Sequence, residues 1–247
     1  MHDIIWFETI DSTMHEAVRR VEAGCPHGTV ICAEEQTAGM GRFGRQWHSE
    51  RGAGLYTSIV LRPRLKPDSL PVVTLALGLA TSEAIAAVSG LSCDLRWPND
   101  VLIGSKKCAG SLVQLHDGVV IAGIGVNVNH TVFPDAIAAT ATSLRLASGR
   151  EQSRETLLSQ LLSAIDRYLR ILEESGAEPI LRMFTQASSY VRGRRVLVDQ
   201  DSTTLCGITD GLTPAGFLKL RQDSGRQTVI MAGGVRPAAE NHNATGS

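Results

Sequence analysis

The sequence predicts an α+β fold for most of the chain, followed by a small β-barrel after Tyr190. Three observations predict it. Strand-like and helix-like runs follow one another irregularly rather than in a strict strand–helix wind. Residues 156–173 place Leu157, Leu158, Leu161, Leu162, Ile165, Leu169 and Leu172 on one helical face. Beyond Tyr190, short apolar runs are separated by Gly, Asp, Pro and Ser, as in a small barrel. The expected organisation is a main domain over residues 1–190, a small domain over 191–237, and a polar tail over 238–247. That tail has no periodicity and is expected to be disordered.

The elements follow in order. Ile4–Phe7 reads as a first strand. Thr13-Met14-His15-Glu16 has the form of a capping box, opening a helix to about Glu22 that Gly24 stops. On that reading Ser12 and Thr13 are helix caps, a role compatible with ligand contact because helix N-termini attract polar groups. Thr29–Ala33 is a compact apolar strand, and Leu55–Leu61 is another. Pro71–Val88 reads as a helix. Ser111–Leu115 and Val119–Asn127 read as a hairpin joined at His116-Asp117-Gly118. Helices are expected over 156–173 and 179–190. The barrel strands centre on Val196-Leu197-Val198, Leu205–Ile208, Phe217–Leu220 and Val229-Ile230-Met231.

Composition narrows the function. The chain has 247 residues, 43% hydrophobic, and a net charge of −1, so it can bury a sizeable core but shows no basic excess for nucleic acid. Cys25, Cys32, Cys93, Cys108 and Cys206 are an odd, scattered set, as expected of reduced thiols in a cytoplasmic protein. Without a His-Glu-x-x-His motif, no protein-built zinc site is expected. The N-terminus lacks a signal pattern. Thr, Ser and Glu interrupt the apolar stretch from Leu75 to Val88, arguing against a membrane span.

The chemistry concentrates in Gly39-Met40-Gly41-Arg42-Phe43-Gly44-Arg45. Its glycines allow tight bending and close approach. Arg42 and Arg45 supply permanently charged planar forks for phosphate or carboxylate. The Gly-x-Gly-x-x-Gly match does not indicate a dinucleotide fold, because residues 46–54 lack the helical period that such a fold requires. A second cluster, Arg96-Trp97-Pro98-Asn99-Asp100, precedes Lys106-Lys107-Cys108-Ala109-Gly110. It reads either as a strand, a turn and an exposed lysine pair, or as a second cationic wall with Lys107 facing the same anion as Arg42. A third, Gly123-Ile124-Gly125-Val126-Asn127, places glycines within a strand, where a ligand or another backbone approaches.

Together these motifs resemble the biotin protein ligases. The family's Gln, then Gly-Arg-Gly-Arg-x-Gly-Arg-x-Trp, stands here as Gln36 followed by Gly39 through Trp47. Its Lys-Trp-Pro-Asn-Asp stands as Arg96 through Asp100, and its later Lys-x-x-Gly as Lys107 through Gly110. Ser12-Thr13 and Gly125-Val126-Asn127 match further motifs in the right order. The resemblance implies a class II synthetase-like mixed-sheet catalytic domain and an SH3-like C-terminal barrel. It implies that biotin attacks the α-phosphate of ATP, with Mg²⁺ carried by the nucleotide. Biotinyl-5'-AMP then passes biotin to a lysine of a biotin carboxyl carrier protein, from acetyl-CoA carboxylase or a related carboxylase.

Residue roles follow from the same resemblance. Lys107 would hold the biotin carboxylate and the α-phosphate, and Arg42 would clamp the phosphate and close the loop. Ser12, Thr13 and Gln36 would satisfy the biotin ureido group. Gly110, Leu112 and Gly125 would line its apolar slot, with Gly39, Met40, Gly41 and Met14 nearby and Trp47 at the edge. Arg45, Arg96 and Asn99 would face the adenylate, and Asn127 the adenine. Asp100 would orient the acceptor lysine or position Mg²⁺, unless it is simply a turn-capping residue.

Several departures from the family pattern stand out. Met40 replaces a usual arginine, Met14 an asparagine, Gln114 a frequent glutamate and Arg96 a lysine. No match to the N-terminal DNA-binding domain of some relatives is visible, so specific DNA binding is not expected. The resemblance leaves monomer or homodimer open. Rival readings are a lipoate- or octanoate-handling relative and a non-catalytic biotin or nucleotide binder.

Overall fold

A computed structural model describes residues 2–65, 67–200 and 203–238. Strands β1 (Asp3–Phe7) and β2 (Thr29–Ala33) run parallel, joined through helix α1 (Thr13–Glu22). Strand β3 (Gly54–Leu61) adds antiparallel to β2. Helix α2 (Leu70–Ser89) then leads to β4 (Asp94–Arg96), β5 (Asp100–Ile103), β6 (Lys106–His116) and β7 (Val119–Asn127). The seven strands form one mixed sheet in the order β1-β2-β3-β7-β6-β5-β4. Short helices α3 (Asp135–Ala138) and α4 (Leu144–Ser148) precede the long α5 (Arg154–Ser175) and α6 (Ala177–Gln186). Strands β8 (Arg192–Gln200), β9 (Thr203–Leu212), β10 (Leu218–Gln222), β11 (Gln227–Ile230) and β12 (Gly234–Pro237) form an antiparallel sheet in the order β11-β10-β9-β8-β12. The chain is therefore α+β with a small C-terminal β unit, as its sequence pattern indicates.

Alternation along the strands assigns the two faces of the large sheet. Val30, Cys32, Ile59, Leu61, Ala122, Ile124 and Val126 face α2, α5 and α6 in the main core. Ile31, Val60, Val119 and Ile121 face Met14, Ala17 and Val21 of α1. Gly123, Gly125 and Asn127 share this second face. Full burial of each large aliphatic side chain contributes about 1.5–3 kcal/mol. The main core runs on without a break into Val196, Val198, Leu218, Leu220 and Ile230 of the second sheet. Trp97 links the two sheets, its indole N–H donating to the Gly216 carbonyl at 2.9 Å.

Several expectations need correction. Ser12, not Thr13, caps α1, its hydroxyl accepting from the Met14 amide. Thr13 is the first helical residue, and its own hydroxyl is drawn to Gln36. Helix α6 ends at Gln186 rather than running to 190. There Ser189 turns away to bond the Asp94 carboxylate through its amide at 2.8 Å and its hydroxyl at 2.6 Å. The interruptions in α2 do not exclude a membrane span, since the helix is long and apolar enough to cross one. What marks it as a core helix is that 67% of its most apolar stretch is buried. The expected disordered tail lies outside the described residues except for Ala238.

Candidate active site

A cavity of about 460 Å³ opens on the α1 face of the large sheet. Its walls come from α1, the loop between β2 and β3, strands β4 to β7, the 137–141 segment and the edge of the second sheet.

The loop of residues 39–47 is a narrow hairpin. The Trp47 amide donates to Gly39 O at 2.8 Å and the Gly41 amide to Arg45 O at 2.7 Å. Arg42–Gly44 makes one tight turn at the tip. Phe43 there has φ 59° and Gly44 φ 69°, a left-handed pair that glycine adopts at no steric cost and Phe43 does not. Arg42 reaches from this tip to the Asn99 carboxamide oxygen at 3.0 Å and to Gly233 O at 3.4 Å. Asn99 is itself held, donating to Ser111 O at 2.7 Å. Burial pulls the Arg42 guanidinium below its usual pKa, against the opposing charge of Asp100, with Arg45 adding to the downward pull.

The opposite wall carries an ion chain. Asp100 pairs directly across β4–β5 with Arg96, accepting from its Nη2 at 2.7 Å and its Nε at 3.2 Å. The other Asp100 oxygen lies 2.5 Å from Lys107 Nζ. Burial raises the Asp100 carboxyl, but Lys107 and Arg96 outweigh it and hold the net value below the usual carboxylate range. Lys107 reaches this position because of a bulge. Leu102 pairs with Lys107 but Val101 with Ala109, leaving Cys108 as the extra residue. Strict alternation from Gly110 would turn Lys107 toward the main core. The bulge shifts the register and turns it into the cleft.

Glycines make the floor. A β-carbon at Gly125 would come within 2.4 Å of the Trp47 indole, and one at Gly123 within 2.5 Å of Met14 Sδ. At Gly110 it would meet Lys107 Cε and Nζ at 2.9 Å. These positions therefore let Trp47, Met14 and Lys107 lie flat on the sheet. Lys107 Nζ stands 5.2 Å from the Trp47 ring centroid, within cation–π range. At the far end, the Gln36 carboxamide is oriented on both sides. Its oxygen accepts from the Thr13 amide and hydroxyl at 2.9 and 3.1 Å, and its nitrogen donates to Ser49 Oγ at 2.9 Å. The Ser58 hydroxyl donates to Thr13 Oγ1 at 2.8 Å. The cleft thus joins an apolar slot, closed by oriented amide and hydroxyl groups, to a cationic wall.

Most of the residues singled out in the sequence line this cavity: Thr13, Met14, Gln36, Met40, Gly41, Arg42, Arg45, Trp47, Arg96, Asn99, Asp100, Lys107, Gly110, Leu112, Gly125 and Asn127. Two of the expected biotin contacts do not. Ser12 is fully buried and spent on capping α1. Gly39 lies behind the wall, where a β-carbon would strike Trp47 O at 2.7 Å and Ser49 Oγ at 2.8 Å. Asn127 lines the cavity but already donates to Thr142 O at 3.1 Å. Lys107 is not in an exposed stretch; it sits within β6, its amide donating to Thr140 O and its carbonyl accepting from Thr142.

Sequence reasoning missed several contributors. Ser49 and Ser58 orient the Gln36–Thr13 pair. Asp199 and residues 233–236 bring the second sheet to the rim. Nothing in their local sequence marks them, because each acts through a long-range contact.

The comparisons with known proteins agree on one family. The profile of the biotin/lipoate A/B protein ligase family matches residues 6–130. The bifunctional ligase/repressor BirA of Bacillus spizizenii is 33% identical over 93% of this chain and 72% of its own length. The biotin–[acetyl-CoA-carboxylase] ligase of Mycobacterium tuberculosis is 33% identical over 90% of this chain and 84% of its own. Among solved structures, the biotin protein ligase from Aquifex aeolicus in complex with biotin and ATP is similar with a TM-score of 0.87. It is 30% identical, and the match covers 96% of this chain and 100% of that one.

Proposed function

The chain belongs to the biotin/lipoate A/B protein ligase family, and we infer that its cleft performs the ATP-dependent joining of biotin to protein. In the first step a biotin carboxylate oxygen attacks the α-phosphorus of ATP and pyrophosphate leaves, giving biotinyl-5'-AMP. In the second, a lysine amine of a biotin carboxyl carrier protein attacks the acyl carbon and AMP leaves. The observation that carries this reading is the position of Lys107, where the apolar slot meets the cationic wall.

The division of labour follows from charge. Two anions must meet, so their repulsion has to be offset before the bond forms. Negative charge then grows on the phosphate oxygens, where fixed donors in a water-poor site act most strongly. Lys107 serves the biotin carboxylate and the α-phosphate. Arg42 serves the phosphate from the hairpin tip, with Arg45 and Arg96 beside it. Asp100 is a positioning residue, holding Lys107 aimed across Gly110 while keeping Arg96 in place. Mg²⁺ enters with ATP, as the nucleotide's counter-ion. The Gln36–Thr13–Ser49 cluster offers donors and acceptors to the ureido end, and Gly125, Leu112 and Trp47 enclose the apolar body. Asn127 and the 137–141 segment flank the nucleotide side.

The acceptor is the carrier protein of acetyl-CoA carboxylase or a related carboxylase. All five cysteines are free, in keeping with a reducing, cytoplasmic setting.

Biotin-dependent exchange of labelled pyrophosphate into ATP tests the reading. Exchange with biotin and not with lipoate supports it. Exchange with lipoate alone assigns the cleft to the other branch of the family. Biotin binding without exchange makes the protein a binder.

A further inference from the structure

We infer that His48, Glu50 and His130 form a binding site for one divalent transition-metal ion, of the zinc class, at the root of the 39–47 hairpin. Each brings one potential ligand atom to within 4.8 Å of the others. His48 Nε2 lies 4.0 Å from a Glu50 carboxylate oxygen. The site shares a wall with the cleft at His48, but its ligands take no part in the proposed ligase chemistry.

The preparation of His130 carries the inference. This histidine is fully buried, its ring stacked on Phe133 at 5.1 Å between centroids. The Tyr56 hydroxyl donates its single proton to the Glu50 carbonyl at 2.9 Å. Its 3.2 Å contact with His130 Nε2 therefore needs the imidazole as donor, which places the ring proton on Nε2. That leaves Nδ1 a bare lone pair, buried without a hydrogen-bond partner among the described residues. A buried acceptor left unpaired costs about 1–3 kcal/mol, so its retention calls for a partner. A neutral imidazole whose second nitrogen donates to a fixed oxygen is the usual form of a metal-ligating histidine.

The donor set selects the ion. Two imidazole nitrogens and one carboxylate oxygen suit zinc or cobalt rather than Mg²⁺ or Ca²⁺, which favour all-oxygen shells. Ligand bonds of about 2.0–2.2 Å separate tetrahedral ligands by roughly 3.4 Å. The observed spacing closes to this through rotation of His48 and Glu50, whose side chains are 34% and 47% exposed. The bound ion would tie residues 48–50 to the segment after β7, one residue beyond Trp47.

Titrating chelator-stripped protein with Co²⁺ tests the site. The expected result is one ion per chain, with the visible ligand-field bands of a tetrahedral complex, displaced by Zn²⁺. His48→Ala and Glu50→Gln, both on partly exposed residues, should each abolish the bands. Tyr56→Phe removes the outer partner and should weaken binding roughly 10–100-fold. Absence of tetrahedral bands overturns the inference, as do bands unchanged in His48→Ala and Glu50→Gln.

Discussion

Lys107 Nζ and Asp100 Oδ1 lie 2.5 Å apart across Gly110, and this contact organises the cationic wall. Asp100 also holds Arg96, so one carboxylate sets two cations. Its charge keeps both extended over the sheet rather than free in solvent. The absence of a side chain at residue 110 gives Lys107 its path.

Lys107→Ala should cut biotinyl-adenylate formation by tens to thousands of fold, since truncating one partner of a desolvated charge pair costs about 2–5 kcal/mol. The fold should persist, because Asp100 keeps Arg96. Rates of pyrophosphate exchange measure the effect, and a wild-type rate would remove Lys107 from the site.

Asp100→Asn should weaken catalysis and change the acid limb of stability. The folded pKa of Asp100 is depressed, so its contribution is fully present above the unfolded value of about 3.9. It is lost as pH falls through the lower folded value. The stability gap between wild type and Asp100→Asn should therefore be flat above about pH 5 and narrow below about pH 4. Urea unfolding midpoints across that range measure it. A gap that stays constant down to the acid transition would contradict the pairing.

Gly125→Ala should raise the KM for biotin more than that for ATP, because the new methyl meets the Trp47 ring at 2.4 Å. Overpacking of this kind costs about 1–3 kcal/mol, or roughly 5–150-fold. Equal changes in both KM values would place Trp47 outside the biotin slot.

Residues 37–47 should gain protection from hydrogen exchange when biotin and ATP are added. The hairpin is bonded at its base and at Gly41, while its tip reaches the rest of the described residues through the Arg42 side chain, to Asn99 and Gly233. Bound phosphate would add a charged partner there and offset the entropy of ordering. Arg42→Gly should release adenylate faster and label bystander lysines, whereas Met40→Leu should leave release nearly unchanged. Equal protection with and without ligands, or unchanged release by Arg42→Gly, would sink this account.

By itself the sequence determined whatever depends on local pattern. The leucine face of α5, the apolar run of β3 and the β6–β7 hairpin at Asp117-Gly118 are all set by residues a few positions apart. So are the glycines and arginines of the hairpin loop and the Trp97-Pro98-Asn99-Asp100 turn, which together carry the family resemblance. Tertiary structure alone decided which way Lys107 points, because the bulge at Cys108 arises from pairing with β5 and reverses what alternation predicts. It also decided that Ser12 serves the helix while Thr13 serves Gln36, since Gln36 arrives from a different loop. The short β4 and β12 have too few residues to show a period and exist through their neighbours. His130 shows the same limit most plainly. Its tautomer is set by Tyr56 from β3, and its nearness to His48 and Glu50 is a product of folding that no spacing in the chain encodes.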